Sequence, residues 1–574
     1  MSESPQAFDA EFDVVVVGSG AGGMLAALRA HDQGLQVLVV EKAEVYGGTS
    51  AISGGGIWIP NNSHAKRAGL SDSEAAATQY VQASVQGTVD ADRVSTYLRV
   101  APVMADYLEQ KTRVRYAVAA QYPDYYPELP GALAGGRTLD PELFDASVLG
   151  DELKRLRPPS PTTLLMGKIA WTARQAHKAM SKSFGWRFMI VWAMLKFRLD
   201  KSWRRRTGLK RDRYAALGSA LVAGLRRSMM DRDMPLWLNC SLTQLVEQGN
   251  RVVGIDVVQH GEKKSIRARR GVILASGGFE QNQALREQHL PSPTSAKWSA
   301  TPAGQNTGDA LLAAQHLGAA TALMNWAWWC PTIGVPKEPN QRGVFAERAF
   351  PGAIVVNGLG LRFTNEAGPY LEFGKAMYDD HQKTGQTLPA WVIFDAHFRF
   401  HYAMGPIMPG QIMPDRRIPA DWWNAVLWTA DSLDALAAKI GVDAAGLKAT
   451  VERVNGFAKS GVDADFGRGG NVYDRYYGDV NVKPNPCLAP VAKAPFYAMR
   501  MDGGDIGTKG GILTNASAQV LRENGQAIAG LYAIGNCSAS VMGKSYPGAG
   551  STLGPSMTFG YIAADHLSQV AVAA

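Results

Sequence analysis

The chain has 574 residues, 46% of them apolar and 19% charged, a composition typical of globular proteins, and its length favours at least two domains. The net charge is +8, and much of the positive excess is concentrated between Lys168 and Arg213. The four cysteines are scattered without a CxxC pair, which argues against a zinc site and a disulfide framework and suits a reducing compartment.

The location predicted from the sequence is the cytoplasm. The residues before Phe12 are acidic and polar, so no secretory signal is expected. No apolar run reaches about 18 residues, so we expect no helix that spans a bilayer.

The first pattern in the chain predicts a strand, a turn, a helix and a second strand. Residues 13–17 are a β-branched run, typical of a strand buried in a parallel sheet. A glycine-rich turn follows at 18–23, then a predicted helix over 24–33 and a strand over 35–40 that leads into Glu41. This order is typical of a β-α-β dinucleotide-binding unit.

Each glycine of this unit has a physical reason. Gly18 permits the tight turn, Gly20 lets the backbone approach a pyrophosphate, and Gly23 lets helix and strand pack closely. The N-terminus of the helix offers N–H donors and the positive end of a dipole. Glu41 lies where a carboxylate can accept hydrogen bonds from ribose hydroxyls.

The loop over residues 47–56 is rich in Gly, Ser and Thr and follows the second strand closely, so it can wrap an extended cofactor. Here the chain resembles the FAD-dependent fumarate reductase/succinate dehydrogenase superfamily. In the covalent members of that superfamily, a His in this loop bonds the flavin. No His lies between Glu41 and Pro60, so the resemblance implies non-covalently bound FAD.

Later segments are typical of a chain that returns to the same cofactor. Residues 271–279 and 530–536 each resemble a strand and turn that end beside the flavin, and residues 550–555 open a predicted final helix. The N-terminus of that helix would face the flavin and favour the negative charge of its reduced form. The candidate cofactor-binding residues are Gly18, Gly20, Ala21, Gly22, Glu41, Lys42, Gly47, Gly48, Thr49, Ser50, Gly54, Gly55, Gly277, Asp309, Gly535, Asn536 and Leu553.

These segments predict an α/β fold in which a discontinuous, Rossmann-like FAD-binding domain holds an inserted α+β catalytic or capping domain. The FAD-binding domain covers residues 1–326 and 495–574, and the inserted domain covers 327–494. We see one dinucleotide fingerprint, which argues against a second, nicotinamide site. The expected electron acceptor is therefore a quinone or another soluble acceptor. No metal site is expected.

Three tyrosine-containing segments carry the candidate chemistry: Tyr-Pro-Asp-Tyr-Tyr-Pro at 122–127, Asn-Glu-Ala-Gly-Pro-Tyr at 365–370 and Ser-Tyr-Pro-Gly-Ala-Gly at 545–550. Together they resemble the 3-ketosteroid Δ1-dehydrogenases. The resemblance runs nearly end to end and includes Gly-Gly-Thr-Ser at 47–50, Gly-Gly-Ile-Trp-Ile-Pro at 55–60 and Asn-Thr-Gly-Asp-Ala at 306–310. At position 549 the chain has Ala where many relatives carry Pro.

The resemblance implies a role for each matching residue. Tyr370 would remove the proton from steroid carbon 2, and Tyr125 would assist by stabilising the phenolate. The Tyr546 hydroxyl and the Gly550 N–H would bind the 3-keto oxygen, while the hydride of carbon 1 passes to the flavin. The product is a 1,4-diene-3-one. Tyr126 could replace Tyr125 if the register shifts by one.

A phenol is a poor base at neutral pH, because its ordinary pKa is about 10. We therefore expect nearby groups to favour the phenolate. The tyrosines at 473, 476 and 477 are interpreted as structural or as the rim of the pocket, and no His is assigned a role.

Three alternative functions stay open at this point. A 3-ketosteroid Δ4-(5α)-dehydrogenase would share the flavin domain and a tyrosine-based site. A fumarate-reductase-like enzyme needs Arg and His for carboxylates, and Pro369-Tyr370 stands where a basic residue is expected. A non-catalytic flavin-binding or membrane-bound interaction protein would not need the matched tyrosines.

A basic, Trp-rich insert covers about residues 150–213. Apolar and aromatic residues lie beside dense Arg and Lys over 184–206, a pattern typical of a segment at a membrane interface. We expect peripheral attachment to the inner face of the cell membrane, and the alternative is a cap that packs on the protein. No nucleic-acid partner is expected, because no known binding module accompanies the charge.

Overall fold

The computed structural model describes residues 8–570, so the outer ends of the predicted FAD-binding domain, residues 1–7 and 571–574, lie outside the described residues. The fold is mixed α/β and is built on two large sheets, which confirms the predicted fold class. The described α-helices are Ala21–Asp32, Ser63–Arg67, Glu74–Val85, Ala91–Lys111, Ala173–Met180, Trp186–Leu199, Lys201–Thr207, Leu217–Met230, Gln283–His289, Asp309–His316, Tyr370–Thr384, Ala396–His401, Leu433–Ile440, Ala444–Ser460, Val472–Tyr476 and Leu553–Gln569.

The first sheet has a parallel centre. Strand Ala10–Val17 pairs in parallel with Val37–Val40 on one side and with Glu262–Leu274 on the other. Strand Ala527–Ala533 adds to the far side of Glu262–Leu274, also in parallel. The eight strands of this sheet in the described chain are Ala10–Val17, Val37–Val40, Leu236–Trp237, Cys240–Gln248, Arg251–Gln259, Glu262–Leu274, Gln519–Leu521 and Ala527–Ala533.

The first strand has the predicted character, with element bounds that differ slightly from the sequence prediction. Val14 to Val16 are fully buried, as expected for a strand covered on both faces. The first helix begins at Ala21, three residues earlier than predicted, because Gly20 takes an extended conformation and lets the helix start directly after the turn. The second strand begins at Val37 instead of residue 35.

The second sheet carries most of the segment predicted as the inserted domain. Its strands pair antiparallel and enclose a separate hydrophobic core. The predicted boundaries at 326/327 and 494/495 stay predictions, and the long strand that follows the second boundary pairs within this sheet. The six strands are Ala327–Ile333, Arg342–Gly343, Ala353–Val356, Ala390–Asp395, Trp428–Ala430 and Phe496–Thr508.

Three small sheets contain the remaining strands of the described chain. The first contains Ile57–Trp58, Tyr116–Val118 and Thr138–Pro141, the second pairs Phe144–Asp145 with Tyr214–Ala215, and the third pairs Thr321–Ala322 with Gly511–Ile512.

Helices form the outer part of the basic insert. Helix Trp186–Leu199 has no fully buried residue, whereas Trp203 in the next helix is buried. The preceding helix, Ala173–Met180, contributes residues to the cavity described below. In the described part of the chain, no helix is long and apolar enough to cross a membrane.

Candidate active site

A cavity of about 490 Å³ extends from the glycine-rich turn of the first sheet to the tyrosine-containing segments beneath the second sheet. Its wall at one end is formed by the turn over 18–23, by Glu41 and by the loop over 48–56. At the other end it is formed by Tyr125, Tyr370 and Tyr546. One continuous space therefore joins the predicted nucleotide site to the predicted catalytic residues.

The glycine-rich turn is tight because three parts of the backbone meet there. Gly18 has a φ of 111°, and a Cβ at this position would lie 2.4 Å from the carbonyl oxygen of Ala275. A Cβ on Gly22 would lie 2.2 Å from the Ser556 hydroxyl oxygen on the final helix. Only glycine fits at these two positions, so the strand ends and the two helix N-termini can converge on the cavity.

Polar side chains hold the rim of this end in place. The Glu41 carboxylate accepts hydrogen bonds from the Ser19 N–H at 3.1 Å and the Ser19 hydroxyl at 2.6 Å. Lys42 and Asp309, predicted independently as cofactor residues, form an ion pair of 2.9 Å with each other. The Ser50 hydroxyl accepts a hydrogen bond from the Ala21 N–H at 3.0 Å, which ties the 48–56 loop to the first helix.

The residues at this end fit a dinucleotide with a charged diphosphate. Arg157 lines the cavity, and its Nε, although buried, has no hydrogen-bond partner among the described residues. Burial lowers the pKa of Arg157, while the nearby Glu41 raises it. An unpartnered guanidinium nitrogen, together with the start of a helix, is suited to an anionic group. Sequence reasoning missed Arg157, which lies in the insert with no motif around it.

The structure brings nearly all the predicted cofactor residues to the cavity wall. Gly47 is the exception: it has a φ of 108°, and its N–H donates to the Ser19 hydroxyl oxygen at 3.0 Å, behind the wall. The cofactor-binding roles of these residues stay predictions. The predicted residues that line the cavity are Gly18, Gly20, Ala21, Gly22, Glu41, Lys42, Gly48, Thr49, Ser50, Gly54, Gly55, Gly277, Asp309, Gly535, Asn536 and Leu553.

The three predicted tyrosines meet at the other end, where Gly550 also lines the wall. The ring centroids are 5.9 Å apart for Tyr125 and Tyr370, 5.1 Å for Tyr125 and Tyr546, and 5.2 Å for Tyr370 and Tyr546. Each side chain is at least nine-tenths buried. Three phenols from distant parts of the chain therefore surround one point of the cavity.

Each tyrosine is positioned by a different element. Tyr370 is the first residue of helix Tyr370–Thr384 and follows Pro369, which serves as its N-cap residue. Tyr546 lies in the loop before the final helix. The Tyr125 N–H donates to the Pro547 carbonyl oxygen at 2.9 Å, which joins two of the three segments directly. Tyr126 does not line the cavity, so the structure favours the register with Tyr125 at the site.

The electrostatics of the tyrosines differ from the expectation. Burial raises the pKa of Tyr370 well above its ordinary value, and the neighbouring Tyr125 and Tyr546 raise it further. Burial also raises the pKa of Tyr546, and the nearby Tyr370 hydroxyl, Thr552 hydroxyl and Gly550 N–H oppose that rise. Nearby groups were expected to favour the phenolate of Tyr370, but burial, the largest cause of the shift, favours its neutral phenol.

Further aromatic residues line the cavity wall and interact with one another. The Tyr477 hydroxyl donates to the Tyr122 hydroxyl oxygen at 2.6 Å, and the Tyr122 and Tyr125 hydroxyls lie 3.3 Å apart. His177 stacks on Tyr476 with ring centroids 3.9 Å apart. The tyrosines at 473, 476 and 477 line the cavity, which agrees with their interpretation as its rim, whereas His177 was given no role and nothing in the sequence around it indicates its position.

The fold and the cavity define a flavin-dependent oxidoreductase, and comparison with known proteins agrees. A family model for the FAD binding domain matches residues 13–553. A 3-oxosteroid 1-dehydrogenase of Mycolicibacterium smegmatis is 42% identical, with 98% of each chain covered. A 4-oxocyclohexanecarboxylate 2-dehydrogenase of Sinomonas cyclohexanicum is 38% identical, covering 96% of this chain and 92% of the relative.

A solved structure is more similar still. The 3-ketosteroid Δ1-dehydrogenase of Sterolibacterium denitrificans, in complex with 1,4-androstadiene-3,17-dione, is 55% identical, with a TM-score of 0.95, and covers 97% of this chain and 99% of that chain. The chain belongs to the 3-oxosteroid 1-dehydrogenase family of FAD-dependent flavoproteins. Its cofactor is FAD, and it is an oxidoreductase.

Proposed function

We propose that the chain is a 3-oxosteroid 1-dehydrogenase, which converts a 3-keto-4-ene steroid into the 1,4-diene by removing hydrogen from carbons 1 and 2. The observation that carries the proposal is the meeting of Tyr125, Tyr370 and Tyr546 in one buried cavity that continues to the nucleotide end. The Sterolibacterium denitrificans relative was solved with a steroid of the product type, which supports the same substrate class here.

The 3-keto oxygen binds between the Tyr546 hydroxyl and the Gly550 N–H. Both residues line the same end of the cavity, so one acceptor oxygen placed between the two donors can accept from both. Donors held in a buried site polarise the carbonyl and stabilise the negative charge that develops on its oxygen when carbon 2 loses a proton. Gly550 has a φ of 98°, a left-handed conformation that glycine adopts readily.

Tyr370 accepts the proton from carbon 2. Its side chain contacts those of Tyr125 and Tyr546, so the base and the carbonyl-binding group act on neighbouring atoms of one ring. Because burial favours the neutral phenol, the Tyr370 proton must leave before the hydroxyl oxygen can act as a base. Tyr125 assists by hydrogen bonding to that oxygen, and the Tyr122 and Tyr477 hydroxyls extend the network behind it.

FAD fits the other end of the cavity, where the glycine-rich turn, Glu41, Arg157 and the start of the final helix would hold it. Bound FAD supplies the acceptor for the hydride of carbon 1, so the substrate loses one proton and one hydride in total. Non-covalent binding is proposed because no His lies between Glu41 and Pro60. The proposed final electron acceptor is a quinone or another soluble acceptor, because the sequence carries a single dinucleotide fingerprint.

We also propose that the chain attaches to the inner face of the cell membrane through residues 184–206. Helix Trp186–Leu199 and the residue two positions before it present one exposed apolar face. Its side chains recur three or four residues apart, so they lie on one side of the helix. The exposed side chains are Phe184, Phe188, Val191, Trp192, Leu195 and Leu199.

The charge around this face fits an anionic lipid surface. In the described chain, several cations of the insert form no ion pair, namely Arg187, Lys196, Arg198, Lys201, Arg204, Arg205, Arg206 and Lys210. Exposed aromatic side chains beside unpaired cations are typical of helices that lie at the headgroup level of a bilayer. A cap packed on the protein would instead bury its apolar face.

Turnover with defined substrates tests the activity. The purified yellow protein is mixed with androst-4-ene-3,17-dione and a redox dye, and the product is identified by mass and ultraviolet spectrum. A product lighter by two hydrogens, with the spectrum of a cross-conjugated dienone, is expected. The same assay with 4-oxocyclohexanecarboxylate is expected to give little turnover. Preferred turnover of that monocyclic ketone would move the proposal to the activity named for the Sinomonas relative.

A further inference from the structure

The peptide bond between Ser545 and Tyr546, called here the 545–546 peptide, is held by side chains at both ends. Its carbonyl oxygen accepts a hydrogen bond from the Lys509 Nζ at 2.7 Å. Its N–H donates to the Tyr126 hydroxyl oxygen at 3.0 Å. Because a peptide group is planar, two such bonds at opposite ends fix the orientation of the whole plane.

Lys509, which donates to the carbonyl oxygen, lies in an unusual environment for a lysine. It is fully buried, and it forms no salt bridge within residues 8–570. Its Nζ lies 3.3 Å from the centroid of the Trp328 ring, and that ring packs edge-to-face on Tyr546 with centroids 4.9 Å apart. Lys509 therefore supports Tyr546 twice, through the preceding carbonyl and through the indole that contacts its ring.

The N–H side is held by a relay of two side chains. The Tyr126 hydroxyl, which accepts from the Tyr546 N–H, donates in turn to the Glu372 carboxylate at 2.8 Å. Accepting and donating at once orients the phenol and strengthens both bonds. Burial raises the pKa of Glu372, and Lys509 is among the charges that oppose the rise.

The relay also connects the two halves of the proposed reaction. Glu372 lies in the first turn of helix Tyr370–Thr384, two residues after the proposed base. Tyr126 directly follows Tyr125 in the chain. The N–H side of the 545–546 peptide is thus held by the same two segments that carry the proton-transfer tyrosines, so a change in either segment displaces the carbonyl-binding hydroxyl relative to the base.

We propose that Lys509, Tyr126 and Glu372 are positioning residues that hold the 545–546 peptide and so direct the carbonyl-binding hydroxyl that follows it. They act without touching substrate, since none of the three lines the cavity. This inference rests on the proposed function for its effect on turnover, but the contact itself can be measured without substrate. Sequence reasoning considered Tyr126 only as a replacement for Tyr125 and did not consider Lys509 or Glu372.

The central variant is Tyr126→Phe in the holoenzyme, because it removes one hydroxyl and keeps the ring. We expect kcat to fall about tenfold or more, with a smaller change in KM, since misdirected donors lose more stabilisation in the transition state than in the bound substrate. Lys509→Met is expected to lower kcat in the same way. Glu372→Gln keeps an oxygen acceptor for the phenol and is expected to retain most of kcat. Glu372→Leu removes that acceptor and is expected to lower kcat.

Two further measurements separate positioning from a general loss of structure. The double variant Tyr126→Phe/Glu372→Leu is expected to be no slower than the slower single variant, because both changes break one relay. Hydrogen exchange followed by mass spectrometry is expected to show faster exchange of the segment 542–550 in Tyr126→Phe, with the rest of the chain unchanged. Tyr378→Phe is the matched control, since it removes a buried phenol that donates to the Gly503 carbonyl oxygen at 2.6 Å, away from this peptide.

The outcomes are distinct. Wild-type kcat or unchanged exchange in Tyr126→Phe overturns the proposal, and so does full additivity in the double variant. If the wild-type enzyme does not desaturate any steroid, the proposed function fails. In that case, faster exchange of 542–550 in Tyr126→Phe would still support the positioning contact. Unchanged exchange would overturn both the proposed function and the positioning proposal.

Discussion

Tyr370 and Tyr546 lie edge-to-face across the cavity, with ring centroids 5.2 Å apart and ring planes at 72°. One begins a helix under the second sheet, and the other precedes the final helix of the first sheet. The proposed base and the proposed carbonyl-binding group are therefore supplied by distant segments of the chain and meet only in the folded protein. Their separation suits neighbouring atoms of one substrate ring.

Removal of the Tyr370 hydroxyl is expected to abolish most of the activity. Tyr370→Phe keeps the ring and its packing but leaves no group to accept the proton from carbon 2, so kcat is expected to fall at least about a thousandfold. Steady-state turnover with a redox dye measures the loss. Exchange of the carbon 2 hydrogen with deuterated water is expected to stop as well. Unchanged binding of FAD and steroid is the control, and near-normal exchange would assign the base to another residue.

Loss of the Tyr546 hydroxyl is expected to slow the reaction through the carbonyl. Tyr546→Phe leaves the Gly550 N–H as a remaining donor, so kcat is expected to fall about a hundredfold rather than vanish. The two variants differ in their pH behaviour, because Tyr546→Phe retains the titrating base. A flat pH profile in Tyr546→Phe would contradict the division of roles.

The rate is expected to rise with pH. Burial holds the pKa of Tyr370 well above its ordinary value, so at neutral pH nearly all of this phenol is protonated. A base must lose its own proton first, and as long as the pH stays below its pKa, each unit of increase in pH raises the unprotonated fraction about tenfold. We therefore expect kcat/KM to increase with pH from neutrality upward, with the residual rate of Tyr370→Phe independent of pH. A rate that falls over this range would exclude a high-pKa base.

A methyl group at Gly18 is expected to prevent FAD binding. In Gly18→Ala the added Cβ would lie 2.4 Å from a backbone carbonyl oxygen, at a φ of 111°. The turn must then shift, and a colourless protein without bound flavin is expected. Gly34→Ala is the matched control, since Gly34 also has a positive φ, of 85°, but nothing lies within 4 Å of its Cβ position. The control is expected to stay yellow with a stability loss of about 1 kcal/mol. Flavin absorbance per protein measures both.

Local sequence patterns predicted the parts of the fold that depend on local structure. The strand over 13–17 and its glycine-rich turn were recognisable because spacing, β-branching and glycine requirements all lie within a few residues of each other. The exact start of the first helix was not predictable, since a glycine at position 20 can either extend the turn or cap the helix. Motifs shared with a known family placed Tyr125, Tyr370 and Tyr546, which otherwise are far apart in the chain.

Features that depend on burial and long-range contacts were not predictable. The pKa of Tyr370 is raised because side chains from other segments bury it, and no single segment of the sequence carries that information. Lys509 and Glu372 are separated by more than a hundred residues and look like surface charges in the sequence. His177 lines the cavity because the insert folds back over it, which composition does not reveal.

Binding to anionic lipid is expected to depend on the exposed face of helix Trp186–Leu199. Phe188 and Trp192 are 75% and 50% exposed, so changing both to Ser removes apolar area that would enter the bilayer without disturbing the folded chain. Affinity for vesicles with anionic headgroups is expected to fall at least about tenfold. Sedimentation with vesicles measures binding, and steroid turnover by the same variant in detergent is expected to be unchanged.

Two controls distinguish specific binding of the insert to anionic lipid from non-specific adsorption to vesicles. Leu359 and Leu361, 41% and 45% exposed and far from the insert in sequence, are changed to Ser in the same way and are expected to leave vesicle binding intact. Deleting residues 184–206 is a less clean test, because Trp203 in that range is 7% exposed and packs against the protein. Binding should also weaken as salt is raised, since unpaired cations contribute to it. Equal binding by the Phe188/Trp192 variant and the wild type would remove the insert as the attachment site and leave a cap whose apolar face is exposed for another reason.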